Sequence, residues 1–231
     1  GLLSAVDADQ GTQPAPQPVA LDEASVPAAD EAVSPREQGV DLAPAEGPVA
    51  IASIDGMIDP KRERYLQRMI EDARDQGVKT IILHINTDGG QLLNARNILE
   101  TLLDQAKDGP RLIAYVDYRA ISAGAMIAYG CDEIVMTPPA TIGDMGVIRM
   151  KADGGIEYAP EKIQTPMRAL LARSGSVRGW PRALLMKMMA QSQLLYRVAR
   201  DDGYDYVIEE GWQAYLADHS DVDPDDEQQV I

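Results

Sequence analysis

Residues 111–130 read RLIAYVDYRAISAGAMIAYG. The first part, 111–117, is an apolar run of strand length. Ser122 then stands where the extended segment turns abruptly into a short apolar helix over 123–129. Ala123, Gly124 and Ala125 are small enough for backbone or substrate to come close to the helix start. A helix N-terminus has unpaired N–H groups and positive dipole character. An oxyanion formed by attack of Ser122 on a carbonyl would find donors there, the N–H of Ala123 first. The plainer reading of the same residues is an N-cap serine followed by a packing helix. Taken alone, this stretch favours the plainer reading.

A second turn of the same kind lies upstream. The run 79–84 reads as a buried strand, Asn86-Thr-Asp-Gly-Gly90 as a glycine turn, and 92–106 as a helix. With strands at 49–54, 112–117 and 133–136 and helices at 61–75 and 123–129, the chain alternates as an α/β fold with right-handed crossovers. In a parallel sheet, functional groups gather at the carboxyl ends of strands, which places both turns at one edge. Gly89 and Gly90 then offer an N–H to the oxygen that Ala123 also serves.

The pieces NTDGG (86–90), RAISAGAMIA (119–128), CDEIVMTPPATIG (131–143) and YAPEKI (158–163) resemble the superfamily of the Clp protease proteolytic subunit, signal peptide peptidase A and the enoyl-CoA hydratases, and within it most strongly the NfeD-type membrane-bound serine proteases. They span about half the chain. The resemblance implies a Clp/crotonase-like α/β core of repeated ββα-type units with a mostly parallel sheet, followed here by a C-terminal helix and β-hairpin. It also implies a serine nucleophile after the second turn and a lysine general base about forty residues on, places filled by Ser122 and Lys162. Homo-oligomers and transmembrane helices beyond the protease domain accompany that family. One departure is Asp88, where a proline often stands.

Chemistry narrows the base independently. A serine hydroxyl does not ionise near neutral pH, so a base must lie within hydrogen-bond reach. The two histidines are ill placed: His84 lies in a buried-strand pattern, His219 in an acidic tail, and 141–150 offers none. A lysine serves only where burial disfavours its charged form. Lys162 has an apolar downstream side in Ile163, Met167, Leu170 and Leu171; Glu161 turned inward would hold the amine protonated, so Glu161 is expected to face solvent. The rival, Lys151, follows the run 146–150 and is flanked by Ala-Asp-Gly-Gly, a hairpin tip where an amine stays hydrated.

Of 231 residues, 45% are hydrophobic and 25% charged, enough for one substantial core. A net charge of −16 argues against nucleic-acid binding, which needs a basic face. The single cysteine, Cys131, precludes an internal disulfide and reads as a buried thiol. No metal site or cofactor is expected. Three segments follow: a Pro/Ala-rich acidic linker over 1–48, a protease domain over 49–217 and an acidic mobile tail over 218–231. Residues 1–8 carry a Val-x-Ala pattern like the end of an export signal. The helix beyond Lys162 is expected to end near Ser174-Gly-Ser176. The methionine-rich run 184–189 reads as packing, and 195–208 reads as a hairpin turning at 201–203.

The function expected is a Ser-Lys endopeptidase, with Ser122 and Lys162 catalytic and Gly89, Gly90 and Ala123 around the oxyanion. Its substrate is an apolar segment of a peptide or membrane protein. Its place is beside a membrane, outside the cytoplasm (periplasm or cell exterior), held by segments not present in this chain. Two rivals remain. A crotonase-like acyl-CoA enzyme would need Asp144 or Glu133 as its acid, and a partner-binding scaffold would keep a dead site.

Overall fold

The computed structural model describes residues 47–190, 193–201 and 203–223. The linker assigned to 1–48 therefore lies almost wholly outside the described residues, as does the part of the tail beyond residue 223. Strands β1 (Val49–Asp55), β2 (Thr80–Thr87), β3 (Arg111–Ile121) and β4 (Glu133–Met136) pair in that order, all parallel, with helices α1 (Pro60–Asp75), α2 (Leu92–Asp104) and α3 (Ala123–Ala128) in the crossovers. The short β5 (Thr141–Gly143) pairs in parallel with the far end of β3, Arg119 to Ile121. That pairing explains why β3 outruns the strand read from sequence: polar Asp117, Tyr118 and Arg119 break the apolar pattern, while their backbone continues the ladder.

One face of the sheet is sealed by helices. Ile54, Leu83, Leu112, Ala114 and Val116 meet Leu66 and Ile70 of α1 and Ile98, Leu99 and Leu102 of α2, all 2% exposed or less. Each of these side chains larger than alanine contributes about 1.5–3 kcal/mol through burial. Helix α1 begins at Asp59, whose carboxylate accepts from the N–H groups of Lys61 and Arg62 at 2.9 and 2.8 Å, with Pro60 in the first turn. On the opposite face Ile82, Ile113 and Tyr115 are only half-buried and Ile51 is 71% exposed. His84 lies on this open face against Asp117, 2.9 Å away, rather than in the core.

After β5 come the antiparallel hairpin β6–β7 (Ile148–Met150, Ile156–Tyr158), α4 (Glu161–Arg178), α5 (Arg182–Met189), the hairpin β8–β9 (Leu195–Arg200, Gly203–Ile208) and α6 (Glu209–Asp218). Helix α4 does not stop at Ser174-Gly-Ser176. Ser174 is fully buried and donates to the carbonyl of Tyr129, and the helix closes at Gly179, whose φ of 80° is open to glycine. In α5, Leu185 and Met189 are buried and Met186 and Met188 pack against the core, as a packing run should. Cys131 is fully buried, and burial pushes its thiol far above the usual range. No helix among the described residues is long and apolar enough to cross a membrane.

Candidate active site

Strand β3 ends at Ile121 and α3 starts at Ala123, leaving Ser122 as the corner, with φ 54° and ψ −116°. A positive φ costs a side-chain-bearing residue about 1–3 kcal/mol and persists only when neighbours enforce it. Here the N–H of Ser122 donates to the carbonyl of Gly143 at 2.9 Å, and its own carbonyl accepts from Met126 at 3.1 Å. An N-cap residue sits in the extended region and its side chain bonds the helix; Ser122 does neither. Of the two readings open at the sequence level, the cap is thus the one the geometry removes. The hydroxyl is half-buried and makes no hydrogen bond among the described residues.

The two glycine turns do meet. Gly89 adopts φ 114°, and a Cβ there would lie 2.8 Å from Ser122 Cβ and 3.1 Å from its Oγ. The Gly89 N–H, however, donates to Thr87 Oγ1 at 2.9 Å, so it is not open to a ligand. Thr87 in turn donates to the carbonyl of Gly56 at 2.6 Å. Ile58, between β1 and α1, takes the next groups: its N–H donates to Gly89 O and its carbonyl accepts from Gln91 N, both at 2.8 Å. A Cβ on Gly90 would fall 2.1 Å from that carbonyl, which is why glycine stands there. Among the described residues the N–H groups of Gly90 and of Ala123, next to Ser122, make no hydrogen bond. Ile58 thus engages the carbonyl of Gly89 and the N–H of Gln91 but not the N–H of Gly90.

Thr87 and Ile58 are the residues sequence reasoning missed. Thr87 is inside the NTDGG motif but reads there as a turn former; Ile58 has no local signal, since its bridge to Gly90 spans 32 residues. Thr87 is 2% exposed and its Cγ2 abuts Gly124, where a Cβ would come within 2.4 Å. Thr87→Val keeps the shape and strands the Gly89 N–H. It should cost about 1–3 kcal/mol in chemical denaturation, whereas a cost near zero would show that this bond holds nothing. Asp88 pairs with Arg119 at 2.9 Å, tying the first turn to the strand before Ser122; both side chains are well exposed, so the pair adds little stability.

Lys162 lies in the first turn of α4, exposed, and its amine makes no hydrogen bond or ion pair among the described residues. Ser122 and Lys162 are therefore not in hydrogen-bond contact here. Glu161 faces solvent as expected and is engaged by Arg168. Pro166 sits inside α4, so the carbonyl of Lys162 lacks the N–H that residue 166 would otherwise donate. Lys151 is at the tip of β6–β7, 3.7 Å from Glu157. His219 stacks on Tyr215 at the end of α6. Glu133 pairs with Arg111 and is level with Ile113, about 30 Å of strand from Ser122, which removes it as an acid for this site. Asp144, with φ 52°, follows the Gly143 that holds Ser122. Among the described residues no cluster of His, Cys, Asp and Glu could hold a metal ion.

Beside Lys162 the hairpin presents an apolar surface. Ile148 pairs with Tyr158 and Met150 with Ile156, and these four side chains are 57, 40, 78 and 66% exposed. Arg149 and Glu157 form an ion pair between them in register.

Known proteins resemble this arrangement. The family model of the NfeD1b N-terminal domain matches residues 48–203. Membrane protein NfeD1b of Bacillus subtilis is 31% identical over 117 residues, 51% of this chain and 25% of its own length. The match thus spans about a quarter of that relative. A solved serine-to-alanine variant of a membrane-bound stomatin-specific protease superposes with a TM-score of 0.57 at 26% identity, covering 64% of this chain and 72% of its own. A lysine-to-alanine variant of that protease, in complex with a substrate peptide, gives a TM-score of 0.56 at 26% identity, covering 64% and 68%.

Proposed function

The chain belongs to the NfeD1b N-terminal domain family, and from that footing we propose that it is a serine endopeptidase working through Ser122 and Lys162. The observation that carries the reading is the corner itself: a serine in a costly backbone conformation, its hydroxyl unbonded and packed against Gly89. Such strain is retained at reacting residues because it points the side chain out of the sheet edge. The solved stomatin-specific protease was altered at a serine and at a lysine about forty residues apart, the spacing of Ser122 and Lys162.

In mechanism, the neutral amine of Lys162 accepts the Ser122 Oγ proton as Oγ adds to the scissile carbonyl. The N–H groups of Gly90 and Ala123 stabilise the oxyanion, and Gly89 supplies room through its missing side chain. The intermediate collapses, Lys162 returns a proton to the leaving amine, and water hydrolyses the acyl-enzyme. This requires the first turn of α4 to close on Ser122. Two features favour closure: the carbonyl of Lys162 is freed by Pro166, and the apolar face of β6–β7 gains by being covered. A peptide with an apolar segment, or a second copy in a homo-oligomer, would cover it. The catalytic unit is 49–217, acting at a membrane on its extracytoplasmic side through segments outside this chain.

Incubation of the 231-residue chain with two fluorogenic peptides, one carrying a run of leucine and valine and one carrying only charged and polar residues, tests this. Cleavage of the first, with fragments identified by mass spectrometry, is expected. Failure to cut either at neutral or alkaline pH, with turnover of an acyl-CoA thioester instead, would replace the reading by the crotonase one, with Asp144 as its acid.

A further inference from the structure

Along the outer side of α1 runs a groove of about 530 Å³ whose floor is Ala50, Met69, Ala73 and Val78 and whose wall carries three cations, Lys61, Arg64 and Arg68, against one carboxylate, Asp72. These three cations are exposed, share one helix face at spacings of three and four residues, and have no carboxylate within ion-pair distance among the described residues. Other cations, Arg74 and Arg182 among them, also lack such a partner among the described residues, but Lys61, Arg64 and Arg68 are the ones that line a common groove. Beside the groove, β1 pairs only with β2, so the peptide groups along its other edge have no strand partner among the described residues. Nothing in β1, VAIASID, protects that edge: it has no lysine and no internal proline, and Ile51 is 71% exposed.

We propose that this groove takes an extended acidic peptide segment of a partner protein, added as a strand to β1 and held by Lys61, Arg64 and Arg68. The dimensions agree. Successive cations lie about 4.5 and 6 Å apart along the helix axis, a spacing that long side chains can splay to meet the roughly 7 Å between same-side residues of a strand, and α1 is long enough to flank about six extended residues. Backbone pairing supplies affinity and alternate acidic side chains supply the match to the cations. A second copy of this chain is a poor occupant, because pairing two β1 edges about a twofold axis sets the two cationic helices against each other. A flat anionic membrane is also a poor one, because the apolar floor is recessed. The inference is independent of the catalytic reading, since none of its residues touches Ser122.

The probe is a fluorescein-labelled octapeptide of alternating glutamate and valine, titrated into the full chain by fluorescence anisotropy. Saturable binding is expected, weakening as salt rises and falling roughly tenfold or more in the double variant Arg64→Glu, Arg68→Glu. The milder pair Arg64→Gln, Arg68→Gln should fall between. Amide exchange across β1 should slow on binding. Equal binding of the alternating lysine–valine peptide, unchanged affinity in both variants, or unprotected β1 amides would each overturn the proposal. So would sedimentation with vesicles of equal phosphatidylglycerol and phosphatidylcholine in the absence of peptide binding. Peptide hydrolysis by the variants should persist, so loss of binding and loss of catalysis are separable.

Discussion

Ser122→Ala is expected to reduce peptide hydrolysis to background, a fall on the order of a million-fold where the nucleophile of a serine protease is lost. Melting temperature should barely change, because Ser122 Oγ makes no hydrogen bond among the described residues that alanine would break. A companion variant separates chemistry from strain. Ser122→Gly should be just as inactive yet more stable, since glycine adopts φ 54° without the penalty of about 1–3 kcal/mol. Retained hydrolysis in either variant would move the nucleophile elsewhere.

Lys162→Ala should lose on the order of ten-thousand-fold in kcat, the upper end of what a general base contributes, with little effect on stability because the side chain is exposed. Lys151→Ala is the control: at the hairpin tip, beside Glu157, its loss should leave kcat unchanged. If Lys151→Ala is inactive and Lys162→Ala is not, the two lysines exchange roles and the closure of α4 becomes unnecessary.

The alternation of strands and helices was legible because β2 and α2 show clean period-2 and period-3.6 burial against one core. The corner at Ser122 was legible too, as the point where an apolar strand run meets three small residues, though not which of its two uses it serves. What escaped was nonlocal. The overrun of β3 depends on β5, twenty residues later, and the continuation of α4 through Gly175 depends on packing against Trp180 and Leu185. The glycine pair looked equivalent in sequence, yet Thr87 consumes the N–H of Gly89 and Ile58 crowds Gly90, so only Gly90 keeps a donor beside that of Ala123. The position of Lys162 escaped for a further reason. Its apolar flank, Met167, Leu170 and Leu171, does become core, but at helical spacing these residues turn Lys162 outward unless α4 moves.

Activation of Ser122 by Lys162 is read by fluorophosphonate labelling at mildly alkaline pH, followed by mass spectrometry of the digested protein. A phosphonyl adduct on Ser122, formed far more slowly in Lys162→Ala than in the unaltered chain, is expected. An adduct on another residue, or one on Ser122 formed at the same rate without Lys162, would contradict it.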